Sequence, residues 1–187
     1  MKRQVLVIID CQNDFITGAL RNEEAIKKVP NIINKINERK WDFICLTRDT
    51  HGEEYMNTSE GKKLPIPHCL YGTGGWNIEE NVMRAVIDSK IPYIIYNKNT
   101  FGLYSIADNL EFELDDKTDI DVMDDDLYVE VVGFCTDICV VSNAIILKSN
   151  WSDWAEIVVD SNCCAGTTPE RHEAALEVMK SCQIDVL

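Results

Sequence analysis

At 187 residues, with 45% hydrophobic and 27% charged residues, the chain has the length and composition of one soluble globular domain with room for a sizeable core. The formal net charge of -14 argues against nucleic acid or an anionic membrane as a general partner, and no apolar stretch approaches membrane-span length. The opening Met-Lys-Arg-Gln and the apolar run after it are too short for a secretory leader and lead into polar Cys11-Gln-Asn-Asp, so a cytoplasmic protein is expected.

Residues 4 to 10 predict a buried strand ending at Asp10. Asn22 is placed to cap a helix over Glu23 to Arg39, where Ile26, Val29, Ile33 and Ile36 recur at helical spacing and Pro30 is a local weakness. Trp41 to Thr47 reads as a second strand, and Arg48 to Gly75 as a long loop carrying Pro65 and Pro67. A loop of that length in a compact domain is functional or held in place. Trp76 to Lys90 has helical spacing, and Pro92 to Tyr96 forms a third strand ending near Lys98. Residues 101 to 125 read as less regular, and the acidic stretch Asp115 to Asp126 as a solvated surface segment rather than a metal site.

A fourth strand from Leu127 breaks at Gly133 and restarts as a buried helix beyond Val140. Trp154 to Asp160 is a fifth strand, Thr168-Pro169-Glu170 starts a helix that runs toward Ser181, and Gln183 to Leu187 forms a short last strand. This alternation predicts a single α/β domain over residues 1–187. The expected architecture is three-layer α/β/α, Rossmann-like, with an open, mostly parallel sheet of about six strands. Sites in such sheets gather at the carboxyl ends of strands, where Asp10, Asp49, Lys98 and the Cys139 turn all fall. No GxGxxG or Walker sequence appears, so nucleotide binding has no support.

Cys139 lies in the opening turn of a helix, beside unpaired amides and the positive end of the dipole, conditions that favour thiolate. The competing reading is a small buried hydrophobe. The eight cysteines fall mostly within or just after apolar runs, which is the pattern of reduced, structural thiols. Cys135 and Cys139 are spaced too widely for a CxxC redox motif. The histidines are His51, His68 and His172, and a Cys–His pair stays open on spacing alone. Asp49, His51, Glu60 and His68 offer two carboxylates and two imidazoles. That set suits a divalent transition metal such as Zn²⁺, with Fe or Mn as alternatives; the competing reading is a polar surface loop. Asp10 and Lys98 each end an apolar strand, where a charge needs a partner, and can serve either as an ion pair or as proton acceptor and anion stabiliser beside a thiol.

Three segments together carry a family pattern: Val7-Ile-Ile-Asp10-Cys-Gln12-Asn-Asp14-Phe15, Lys98 shortly before Phe-Gly-Leu-Tyr-Ser, and Gly133-Phe-Cys-Thr136-Asp137-Ile-Cys139-Val140. In this order they resemble the isochorismatase-like cysteine hydrolases over nearly the whole chain. The resemblance implies an Asp10–Lys98–Cys139 triad, a cis peptide between Phe134 and Cys135, and an oxyanion hole from the Cys135 and Cys139 backbone N–H groups. Within that family, the loop from Asp49 to Thr73 is similar to that of nicotinamidases, which implies Asp49, His51, Glu60 and His68 as metal ligands. Members acting on isochorismate generally lack this set. One position departs from the pattern: Pro65, with Leu64 beside it, stands where many nicotinamidases have an aromatic residue against the pyridine ring. The substrate contacts expected are Phe15, Leu64, Trp76, Tyr104 and Phe134.

The resemblance thus implies a metal-dependent amidase acting on a small molecule, nicotinamide first, within pyridine nucleotide (NAD) salvage, and leaves a homo-oligomer open. The rivals are hydrolysis of another small amide or a vinyl ether on the same scaffold, a catalytically idle metal-binding protein, and a thiol redox protein using Cys135 and Cys139.

Overall fold

The computed structural model describes residues 2–38, 40–123 and 125–187. Strands β1 (Arg3–Ile9), β2 (Phe43–Asp49), β3 (Tyr93–Lys98), β4 (Leu127–Phe134), β5 (Ala155–Ala165) and β6 (Asp185–Val186) form one parallel sheet in the order β3-β2-β1-β4-β5-β6. Parallel sheets are covered on both faces, and the central strand shows it, with Val5 to Ile9 wholly buried. Successive side chains of β1 then serve opposite layers, because strand side chains alternate. Val5, Val7 and Ile9 join the cluster formed with α4 (Ile106–Lys117), α5 (Val141–Asn150) and α6 (Pro169–Ser181). Leu6 and Ile8 face α1 (Asn13–Ile16), α2 (Glu23–Asn37) and α3 (Glu80–Ser89). Each such aliphatic side chain contributes roughly 1.5–3 kcal/mol on burial.

Several predicted boundaries move. Strands β2, β4 and β5 run past Thr47, Val132 and Asp160 to Asp49, Phe134 and Ala165, while β6 is confined to Asp185–Val186. Gly133 therefore does not break β4. It pairs with Ile9 at φ +120°, where an added Cβ would lie 2.1 Å from the Ile9 carbonyl oxygen. The glycine permits close approach of β1 and β4 at the end where the site lies. Pro30 sits exposed inside an unbroken α2. The missing hydrogen bond there, worth about 3 kcal/mol, is offset by burial of Ile32 and Ile36 and by Asn22, whose Oδ1 accepts from the Glu24 and Ala25 N–H groups. Arg39, the expected end of that helix, lies outside the described residues. α3 starts at Glu80 rather than Trp76, because the Glu79 side chain caps it by accepting from the Val82 N–H at 2.8 Å.

The largest departure is α4, in a stretch expected to be irregular. Its acidic residues mask an apolar stripe of Ile106, Leu110 and Leu114, each fully buried. The acidic segment beyond it is also anchored: Ile120 and Val122 are buried, and Arg3 pairs with Asp119 at 3.0 Å and Asp125 at 3.7 Å. Asp124, within that segment, lies outside the described residues. On the other layer, the Lys35 ammonium of α2 bridges Glu130 of β4 at 2.7 Å and Asp160 of β5 at 2.8 Å. Among the described residues, no helix is long and apolar enough to cross a membrane.

Candidate active site

From β1 the sheet order runs outward through β2 and β3, and from β4 through β5 and β6, so the topological switch point falls between β1 and β4. The carboxyl ends of β1, β2, β3 and β4 deliver Asp10, Asp49, Lys98 and the Cys135–Cys139 turn to this point. Asp10 follows β1 in the left-handed region, at φ 46°. Its Oδ1 accepts the Thr47 hydroxyl at 2.7 Å and its Oδ2 lies 2.6 Å from the Lys98 ammonium. Lys98 in turn reaches the Cys139 Sγ at 3.6 Å and Asp49 Oδ1 at 3.9 Å. Asp10 is 0% exposed, Lys98 4% and Cys139 5%.

Burial raises the Asp10 pKa, opposed by the Lys98 charge. For Lys98, burial favours the neutral amine, but Asp10, Cys139 and Asp49 outweigh it and the pKa rises. The Cys139 thiol is pushed well above its usual value by burial and by Asp10, with Lys98 only partly offsetting. The opening turn exists, as a π-helical turn over Thr136–Val140, and burial there works against the thiolate that a helix start favours. The Phe134–Cys135 peptide is cis, as expected. His172 does not approach Cys139 as a base; its Nδ1 lies 2.8 Å from the Thr136 hydroxyl.

The second cluster adjoins the first through Asp49. Ligand-type atoms of Asp49, His51, Glu60 and His68 all lie within 4.8 Å of one another. His51 Nε2 is 2.8 Å and His68 Nε2 3.4 Å from Asp49 Oδ2, and the same nitrogens are 3.9 and 3.6 Å from Glu60 Oε1. His68 Nδ1–H donates to the Ile66 carbonyl at 2.9 Å, which leaves Nε2 with its lone pair facing the carboxylates. The carboxylates draw positive charge inward: burial would lower the His68 pKa, yet Asp49 and the Ile66 carbonyl raise it. Two nitrogens and two carboxylate oxygens so placed, buried except for the half-buried Glu60, fit a divalent metal.

Both clusters open on a cleft of about 1290 Å³ lined by Phe15, Leu64, Phe101, Ile138, Cys135 and Cys139 among others. Of the five expected substrate contacts, Phe15 and Leu64 line it, and Phe15 lies 5.6 Å from the His68 ring. The other three are placed elsewhere. Phe134 is wholly buried in the core, since β4 continues through it. Trp76 packs under Arg48 and against Tyr71, its indole N–H donating to the Thr50 hydroxyl. Tyr104 is 85% exposed and outside the lining.

Three residues to which the sequence assigned no role organise the site: Gln12 and Tyr55, both buried, and Asp14, half-buried. Gln12, within the family pattern, donates to the carbonyls of Asp49 and Trp76 at 2.8 Å each and accepts from the Asp49 N–H at 2.7 Å. Asp14 accepts from the Cys69 N–H at 2.8 Å, and the Tyr55 hydroxyl donates to the Leu64 carbonyl at 2.8 Å while its ring packs on both His51 and His68. For Gln12 and Asp14 the sequence signal was their place in the family pattern, in a polar run immediately after a strand end; Tyr55 gave none.

The isochorismatase domain family matches residues 4–187. The isochorismatase family protein PncA of Bacillus subtilis is 24% identical over 180 residues, which is 93% of this chain and 92% of that one. A crystal structure of nicotinamidase/pyrazinamidase PncA from Bacillus subtilis superposes with a TM-score of 0.78 at 24% identity, covering 98% of both chains. The pyrazinamidase of Pyrococcus horikoshii in complex with zinc gives 0.70 at 24% identity, over 99% of this chain and 98% of that one. The structural likeness carries the fold, and the family match, which spans all but the first three residues, carries the lineage: this chain belongs to the isochorismatase family.

Proposed function

We propose that this protein is a cysteine amidohydrolase that converts nicotinamide to nicotinate and ammonia, working in the cytoplasm to return the pyridine ring to nucleotide synthesis. The observation that carries the reading is the Lys98 ammonium, 2.6 Å from Asp10 and 3.6 Å from Cys139 Sγ beneath a cleft flanked by a four-residue metal-type cluster. Likeness to a nicotinamidase/pyrazinamidase and to a zinc-bound pyrazinamidase supports the substrate and metal class. Eight free, mostly buried thiols suit a reducing compartment.

Cys139 starts as the neutral thiol. Asp10 accepts its proton as sulfur attacks the amide carbon, and Lys98 stabilises the anionic charge that passes between them. The oxyanion rests on the Cys135 and Cys139 backbone N–H groups. Asp10 returns the proton to the leaving nitrogen, ammonia departs, and a thioester remains on Cys139. Asp10 then takes a proton from water, which attacks the thioester, releasing the carboxylic acid and restoring the thiol. Asp49, His51, Glu60 and His68 would hold a divalent ion, Zn²⁺ or alternatively Fe or Mn, which supplies a Lewis-acid anchor for the ring nitrogen or a water. Placement of Trp76 and Tyr104 outside the cleft favours, as a second reading, a small amide other than nicotinamide.

Ammonia release from nicotinamide and a panel of small amides, before and after chelation, tests the proposal. Turnover is expected with nicotinamide, and Cys139→Ala should abolish it while leaving the fold intact. Undiminished hydrolysis by that variant would sink the mechanism; a far better substrate would overturn the choice of nicotinamide.

A further inference from the structure

One fully buried polar side chain outside the triad and the metal-type cluster touches both the Cys139 turn and the wall of the cleft. Asn143 lies on α5 one helical turn beyond Cys139 and is 0% exposed. Its Nδ2 donates to the Cys139 carbonyl at 2.8 Å and to the Phe101 carbonyl at 3.2 Å, and its Oδ1 accepts from the Leu103 N–H at 2.9 Å. Both amide hydrogens are engaged, each with the backbone of a different segment. An amide in a buried helix is costly unless so satisfied, so the position is specified by these partners rather than by packing.

The segment that Asn143 holds leads directly from Lys98. At its start the Lys98 carbonyl accepts from the Thr50 N–H at 2.7 Å, and within it the Thr100 hydroxyl donates to the Gly102 carbonyl at 2.8 Å. Gly102 lies flat on α5: a Cβ there would come within 2.6 Å of Ile146 Cδ1 and 3.2 Å of Ser142 Cβ. The segment is thereby fastened to the helix that follows Cys139, and it presents Phe101, 49% exposed, to the cleft. Phe15, which also lines the cleft, comes from a separate element beside His68. The cleft thus carries one aromatic side chain beside the metal-type cluster and another on the segment fastened to the Cys139 helix.

We propose that Phe101 is a specificity-determining residue for ring-bearing amides and that Asn143 is the positioning residue that sets Phe101 and Cys139 relative to each other. This rests on the amidohydrolase reading. Steady-state kinetics on wild type, Phe101→Ala, Asn143→Leu and the double variant test it, with nicotinamide and propionamide as substrates and thermal melting as the check on folding. Phe101→Ala should raise KM for nicotinamide about tenfold, more than it raises KM for propionamide, so that selectivity for the ring-bearing amide falls. Asn143→Leu should raise KM for nicotinamide about tenfold and lower kcat; in the Phe101→Ala background it should lower kcat without a further rise in KM.

Unchanged KM and selectivity in Phe101→Ala would overturn the specificity role, and this exposed position keeps the test open even if Asn143→Leu does not fold. KM effects that simply add in the double variant would overturn the positioning role. Wild-type protein inert toward every amide would instead bring down the amidohydrolase reading itself, and this inference with it.

Discussion

Thr136 illustrates how much of the site rests on single buried atoms. It is fully buried in the turn between Cys135 and Cys139, and its hydroxyl meets His172 Nδ1 at 2.8 Å. Burial lowers the pKa of His172, so the imidazole is neutral near pH 7. Behind the pair, α6 is crowded against the segment that precedes it: a Cβ on Gly166 would lie 2.9 Å from His172 Cα. Thr136→Val keeps the shape but leaves an imidazole nitrogen unpaired, at a cost of about 1–2 kcal/mol. The expected outcome, read by urea unfolding and by kcat, is that loss together with a slower reaction, because the turn carries the Cys135 amide. Thr136→Ser should restore both; equal damage from Ser and Val would show that the methyl group, not the hydroxyl, matters.

At the scale of elements, α2 is joined to the sheet by an ionic cluster as well as by its apolar face. Lys35 meets Asp160 at 2.8 Å and the wholly buried Glu130 at 2.7 Å, and the Tyr128 hydroxyl donates to Glu130 at 3.0 Å. Removing one partner of such a cluster leaves buried charge uncompensated, so Lys35→Met should cost roughly 3–5 kcal/mol in a denaturant titration. The pH dependence has a definite sign. Burial opposes ionisation of Asp160, but Lys35 outweighs it and the folded-state pKa falls below 3.8. A depressed carboxylate contributes stability that is complete above its unfolded pKa and is lost as pH falls through the folded value. Wild type should therefore lose stability below about pH 4 through this group, whereas Asp160→Asn should show a shallower acid limb. Superimposable acid limbs would show that the cluster is not coupled to folding. The same scale explains the missed helix α4. Its charged residues dominate the composition, while the stripe of Ile106, Leu110 and Leu114 becomes visible only when each position is assigned to a face.

For the whole molecule, the metal-type cluster joins β2 to the long segment that follows it. An ion bound only in the folded state stabilises by mass action, about 2.7 kcal/mol at one hundred times the dissociation constant. Added Zn²⁺ should raise the melting temperature and chelation should lower it, and His68→Ala should lose the response while keeping the sheet. Melting that ignores both treatments would argue against a resident ion. The sheet itself should survive, because its core clusters lie beneath the site and do not include its charged residues.

The sequence by itself determined the parallel α/β order, since strand and helix periods alternate along the chain and each hydrophobic run is short-range information. It also determined the chemistry-bearing residues that sit at or just after strand ends: Asp10, Asp49, Lys98 and Cys139 are brought together because parallel strands all present their carboxyl ends to one edge. What only the tertiary structure decided was which side chains share a cavity and what charge they carry there. Phe134 belongs to the core, Trp76 and Tyr104 lie outside the cleft, and Phe101, Gln12, Tyr55 and Asn143 take up roles that depend on partners up to tens of residues away. The environment of the Cys139 thiol was set there as well. A helix start favours thiolate in isolation, whereas burial beside Asp10 raises the thiol pKa, and desolvation is a property of the assembled molecule rather than of any local stretch.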